Sequence, residues 1–346
     1  MDIPKGIEGD YIETKKDNLF FDIKGIYHPN DRKICFLRFY PHPEGKRIKN
    51  DIKYKKVYNL HDRYLILKKL YPEYLFFSKN LDMEIQSVPN NDILKIYTPR
   101  NCFETLFEKK NLSTIEKYSK DLCELFINKG KISKESIGIT GSIMVGLNKS
   151  ESDIDLIIYG TEISIQFQEK LKQLFETSKN LRKYTMEEYK SHFTWRAGGS
   201  TISFDDFIKS EKRKLHQGKF NEVDFFIRYI KNPKDWGGNF YDFQYTNCGR
   251  IKVKALVVDS RDSLFTPCSY KVNIEKILKK DLIPNDIKPK DMLEVNSFRG
   301  RFCEQAKEGE TVIVQGKLEK VIYKNKVEFY RILLTDQVKD KMIIKN

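Results

Sequence analysis

The chain has 346 residues, 40% of them hydrophobic and 13% aromatic, which suits two or three domains with cores of their own and excludes disorder throughout. Its formal net charge of +14 is spread out, with 19 basic and 14 acidic groups over residues 1–100, 24 and 21 over 101–250, and 20 and 14 over 251–346, so a basic tail is excluded. No run of about 18 apolar residues is present, the first residues lack signal-peptide order, and the six cysteines form no C-x-x-C pair; a cytoplasmic, non-membrane protein without structural zinc is expected.

From Tyr11 to Tyr40, short apolar and aromatic runs alternate with turn residues. Residues 18–25 and 34–40 flank the tetrad His28-Pro29-Asn30-Asp31, and the pattern predicts a β-hairpin. A basic segment over 45–56 reads as a solvated loop. Over 60–71, Tyr64, Leu65, Leu67 and Leu70 fall on or near one helical face. Residues 1–100 are therefore expected as a small N-terminal α+β module.

The next segment opens with a helix over 113–128, capped by Ser113 and Thr114, with Ile115, Tyr118, Leu122, Leu125 and Phe126 on its apolar face. Strands are expected over 137–139, 153–159 and 223–229, with a helix over 164–175, which makes 101–250 an α/β unit with a mixed sheet. From Lys252 onward, runs over 253–258, 310–315 and 326–334 are strand-like and separated by Gly, Pro and Asn; 274–282 reads as a short helix. Residues 251–346 are expected as a β-rich, barrel-like domain similar to an OB-fold. The fold class is thus α+β and multidomain.

The segment with chemistry in it runs from Gly138 to Gly160. Asp153 and Asp155 are two apart on a predicted strand, so their carboxylates share one face. Two such groups repel each other unless a cation lies between them, and Mg²⁺ held by carboxylates and substrate phosphates meets that need. Gly141 and Ser142 follow an apolar strand, where a tight turn frees backbone N–H groups for an anion.

Gly-Ser, ten residues, then Asp-x-Asp within Ser152-Asp-Ile-Asp-Leu156 resembles the signature of the DNA polymerase β-type nucleotidyltransferase superfamily. The motif covers about 20 residues, and the implied nucleotidyltransferase domain is 101–250. More loosely, the three-part chain resembles a family of predicted archaeal nucleotidyltransferases. The resemblance implies a third carboxylate on a later strand. Asp224, in Asn221-Glu-Val-Asp-Phe-Phe-Ile227, fits best; Asp205 and Asp206 lie in helical surroundings, and Glu222 would share the face of Asp224. It further implies two Mg²⁺ ions on Asp153, Asp155 and Asp224, an NTP such as ATP with its β- and γ-phosphates on Gly141 and Ser142, and pyrophosphate release.

Among the basic residues, Arg196 and Arg228 are candidates for nucleotide binding, against the alternative of structural ion pairs. Lys212-Arg213-Lys214 reads as a solvated helix face. Arg299 and Arg301 interleave with Phe298 and Phe302 as in single-strand binders, or as in an ordinary hairpin. The positive charge and flanking domains favour RNA as acceptor. NMP transfer to a protein side chain or a small molecule, and a non-catalytic nucleic-acid-binding regulator, are the alternatives.

Overall fold

A computed structural model describes residues 4–282 and 287–345. The protein is α+β with several sheets, and its contacts divide it into two units. Residues through 78, 83–182 and 216–240 make the first; 79–82, 183–215 and 241 onward make the second. This division differs from the sequence boundaries near 100 and 250. The N-terminal module and the strands with the acidic motif share one unit, because the N-terminal segment packs directly on that sheet.

In the first unit, Phe20–Ile23 pairs antiparallel with Arg32–Pro41, placing Phe20 opposite Phe39 and Ile23 opposite Cys35, as the hairpin pattern predicts. The sheet extends through Tyr11–Thr14 and Ile93–Tyr97 on one side and through Ile52–Lys56 and Arg47–Lys49 on the other. The basic segment is therefore a second hairpin and not a loop. Asn50 and Asp51 close it at φ 49° and 63°, the left-handed pair that suits a two-residue turn between twisted strands.

A second sheet has the order Leu181–Arg182, Gln217–Phe220, Val223–Ile230, Ile154–Tyr159, Ile137–Ile139. Only its central pair, Ile154–Tyr159 with Val223–Ile230, is parallel. Strand side chains alternate between faces. On one face Phe225 meets the helices Thr114–Asn128 and Thr161–Thr177, with Phe126 5.0 Å from Phe167 and 6.5 Å from Phe225. A capping box starts the first of these helices, Ser113 N donating to Glu116 Oε2 at 2.8 Å. The opposite face bears Asp155, Ile157 and Tyr159 beside Asp224, Arg228 and Ile230. Ile7 packs there with Ile157, Tyr159 and Ile230, and a Cβ on Gly9 would come within 2.7 Å of Ile157. The N-terminal module thus roofs the polar face of the sheet.

In the second unit, Phe243–Asp259, Cys268–Asp281, Met292–Ser297, Val327–Leu333 and Thr311–Tyr323 pair in that order, and the last pairs back with the first. The result is a closed five-stranded ring with one parallel pair, Met292–Ser297 with Val327–Leu333. Its core includes Ile251, Val253, Ala255, Val257, Val312 and Val314. Residues 274–281 continue a strand where a helix was expected; pairing with Arg250–Ala255 decides, and Ile274 and Ile277 pack against the core.

Basic residues in this unit are also more engaged than their sequence suggests. Lys214 is fully buried against Glu211 and donates to the Arg301 carbonyl at 2.6 Å, while Arg213 holds both oxygens of Glu310. Arg299 donates to the Thr335 carbonyl and Arg301 to that of Asp340, so they tie down backbone rather than line an open surface. All six cysteines are free thiols, and among the described residues no helix is long and apolar enough to cross a membrane.

Candidate active site

Ile137–Ile139 ends at Thr140, whose N–H donates to the Asp155 carbonyl at 2.9 Å and whose hydroxyl donates to the Gly9 carbonyl at 2.5 Å. Gly141 follows at φ +72°. A Cβ there would stand 2.3 Å from Asp155 Oδ2, so the turn demands glycine both for its backbone and for room. Ser142 comes next, 4% exposed, and its Oγ has no hydrogen-bond partner. Buried hydroxyls are normally hydrogen-bonded, so this one is available to a ligand at the turn. Gly141→Ala is expected to cost about 1–2 kcal/mol of stability for the left-handed backbone alone; urea unfolding checks this.

The loop back to the acidic strand is closed by its own polar groups. Lys149 N donates to Ser152 Oγ at 2.9 Å, and the Arg47 guanidinium reaches over from its hairpin to the Leu147 carbonyl. This clamp sets the entry of Asp153 into Ile154–Tyr159. The parallel register puts Ile154 opposite Phe225 and Asp155 opposite Phe226, so Asp153 and Asp224 stand at the same end of adjacent strands.

Asp155 is the perturbed group. Burial, and then the neighbouring Asp153, push its carboxyl up from 3.8 to about 6, against the pull of Arg228, Lys56 and Arg38. The two aspartates therefore interact as the two-residue spacing predicts. Lys56 Nζ is 4.0 Å from Asp153, whose side chain is 45% exposed. Asp224 faces its cross-strand partner Lys219, Nζ to Oδ2 3.3 Å. Among the described residues, no three His, Cys, Asp or Glu side chains converge as a ready-made metal cage. Asp153 and Asp155 fit a divalent ion by the repulsion and burial that raise Asp155, which Arg228, Lys56 and Arg38 offset only in part, and by Ser142, the residue after the glycine pressed on Asp155. Asp224 is close by in register but is engaged by Lys219.

Other sequence candidates fall elsewhere. Asp205 and Asp206 lie on the helix Phe204–Glu211 of the second unit. Glu222 occupies the turn before Val223 at φ 64° and pairs with Arg182, so it does not share the strand face of Asp224. Arg196 belongs to the second unit, its Nη1 3.9 Å from Glu211. Arg228 lies on the Asp155 face, but its guanidinium is committed to Glu8 at 2.7 Å and Asp22 at 3.4 Å, both buried. Phosphate contact by Arg228 is thus replaced by a buried network in which Lys24 also holds Glu8 and Asp22, at 3.0 and 2.9 Å. Burial pushes the Asp22 carboxyl up, yet Lys24, Arg228 and Arg38 outweigh it and hold Asp22 below the usual carboxylate range.

Two site cations were missed in the sequence, Arg38 and Lys56, both from the N-terminal module and both acting on Asp155. Arg38 Nε is buried with no hydrogen-bond partner. The available signal was a lone arginine in the apolar run Ile34-Cys-Phe-Leu-Arg-Phe-Tyr40. Lys56 lies among other lysines and gives no such signal.

A protein of Methanocaldococcus jannaschii, the uncharacterized protein MJ1086, is 28% identical over 334 residues, covering 94% of each chain. No family model matches this chain, and neither does any solved structure.

Proposed function

We propose that this chain is a Mg²⁺-dependent nucleotidyltransferase of the DNA polymerase β type that moves NMP from an NTP to an acceptor hydroxyl, most simply of RNA, with loss of pyrophosphate. The observation that carries this reading is Asp155: a desolvated carboxylate paired with Asp153 and pressed against a glycine with no room for a Cβ. A structural carboxylate is held low by its cationic neighbours, whereas Asp155 stays raised although Arg228, Lys56 and Arg38 all pull on it.

In this reading Asp153 and Asp155 would hold the first Mg²⁺, and Asp224, now paired with Lys219, would hold a second. The bound ions would lower the acceptor hydroxyl's proton affinity and neutralise charge on the phosphates. Gly141 and Ser142 receive the β- and γ-phosphates through backbone N–H and hydroxyl, and Arg38 and Lys56 add the cations that the sequence reading sought in Arg196 and Arg228. Asp224 would accept the hydroxyl proton as general base. Incubation with Mg²⁺, α-labelled NTPs and total RNA is expected to label RNA. Label on protein or on a small molecule would move the acceptor to one of those classes, and RNA binding without any transfer would favour a regulator.

Stability should report the same charge pair. A carboxyl whose folded pKa lies above its unfolded value binds its proton more tightly when folded. Its contribution is fully present below about pH 4 and is lost as pH rises through about 6. Mg²⁺ is therefore expected to raise the melting temperature clearly at pH 7.5 and little at pH 4.5. Equal shifts at both pH values in calorimetry would contradict the assignment of the ion to Asp155.

A further inference from the structure

The outer face of the five-stranded ring carries charge that folding does not require. In Phe243–Asp259, Ile251, Val253, Ala255 and Val257 point into the core, so Lys252 and Lys254 point outward. The pairing with Cys268–Asp281 sets Lys279 opposite Lys252 and Lys276 opposite Lys254. Lysines three apart on a regular strand would face opposite ways. Here the register slips between Lys252 and Val253, where the partner strand skips residue 278, and this irregularity brings Lys276 and Lys279 to the same face.

On the other side, Gln315 pairs with both Lys252 and Lys341, extending the row across a fourth strand. Burial, and then Lys252, lower the proton affinity of Lys341. Three acids relieve this face in part: Glu275 at 2.7 Å from Lys254, Asp281 at 3.2 Å from Lys279, and Asp206, whose charge acts on Lys341. Like charges directly opposite in a sheet are destabilising. Lysines on a strand edge blunt unwanted pairing, and Lys276 and Lys279 lie beyond the stretch of Cys268–Asp281 that pairs with Met292–Ser297. Lys252 and Lys254 are on Phe243–Asp259, which is paired on both sides here, so the edge does not account for them. The residues of the row are lysines and a glutamine, with no ring on which a base could stack.

We propose that this lysine row binds the phosphate backbone of a polynucleotide without reading its bases. The like-charge pairs are retained because the ligand, and not the fold, neutralises them. The inference rests on the preceding section only for the polymer's role as acceptor.

The test uses the full chain without NTP, and fluorescence anisotropy with labelled 20-mers of oligo(U) and oligo(dT) over a range of salt. In the variant K252Q/K254Q/K276Q/K279Q, affinity is expected to fall at least about tenfold, with the slope of log K against log salt reduced by roughly 2–4. Its melting temperature is expected to hold or rise, since repulsion has been removed. Comparable binding of both polymers supports a phosphate contact; tight binding of one alone also supports it and names the polymer. Unchanged affinity and slope in the variant would overturn the proposal, as would equal competition by poly-glutamate. Should the Gln variant unfold, the Lys→Arg counterpart decides: retained binding supports the row, and lost binding in a folded protein refutes it. Binding without transfer would defeat the proposed catalysis alone, and transfer without this binding would defeat the lysine row alone.

Discussion

Asp155→Asn is expected to lower nucleotide transfer by about a thousandfold or more, the scale of the several kcal/mol that a bound metal supplies to phosphoryl transfer. The same substitution should leave the protein folded and, at neutral pH, at least as stable as before. Asp155 is charged at pH 7 at a cost, because burial and Asp153 both oppose its ionisation. Asparagine keeps the shape and removes the charge. Activity and stability thus move in opposite directions, a combination that a structural aspartate does not give: removing a carboxylate that holds a partner costs stability. Transfer assays and urea unfolding on one preparation measure both. An Asp155→Asn protein that transfers NMP at the normal rate would refute the role of this residue.

The second large effect belongs to Arg228, and it is structural. Arg228→Met removes the guanidinium from Glu8 and Asp22, whose side chains are almost fully buried. Lys24 then pairs with both carboxylates, helped on Asp22 only by the charge of Arg38. Breaking a buried ion pair from one side costs about 3–5 kcal/mol, a large part of the stability of an ordinary domain. The midpoint of urea unfolding should fall accordingly. The triple variant Glu8→Gln, Asp22→Asn, Arg228→Met should recover much of the loss, since it leaves no charge stranded. A loss under about 1 kcal/mol in the single variant would show that water, and not Arg228, neutralises Glu8 and Asp22.

These two residues also mark what local sequence could and could not reveal. Asp155 was legible because its chemistry is local: a strand repeats every two residues, and Gly-Ser before Asp-x-Asp sets a turn beside a strand. The helix 113–128, the first hairpin and the strand with Asp224 were legible for the same reason, through capping and alternation. Arg228 was not, because its partner Glu8 lies 220 positions away and nothing around either residue announces the other. Arg38 and Lys56 escaped similarly, arriving at the acidic pair only through packing of the N-terminal module.

Where a local preference met a long-range pairing, the pairing prevailed. The stretch 274–281 has apolar residues spaced for a helix, but a neighbouring strand supplied hydrogen bonds and a core for Ile274 and Ile277. Residues 45–56 looked like a solvated loop by charge, although Asn50-Asp51 was the hairpin turn in plain view. Lys214 shows the converse for charge: a basic tripeptide suggested solvent, while the fold had a buried glutamate waiting.

A crystal grown with Mg²⁺ and a non-hydrolysable NTP puts the catalytic reading to its most direct test. Density for an ion coordinated by Asp153 and Asp155, with the terminal phosphates on Gly141 and Ser142 and Lys219 displaced from Asp224, is the expected result. A nucleotide bound elsewhere, with the two aspartates still free of metal, would contradict it.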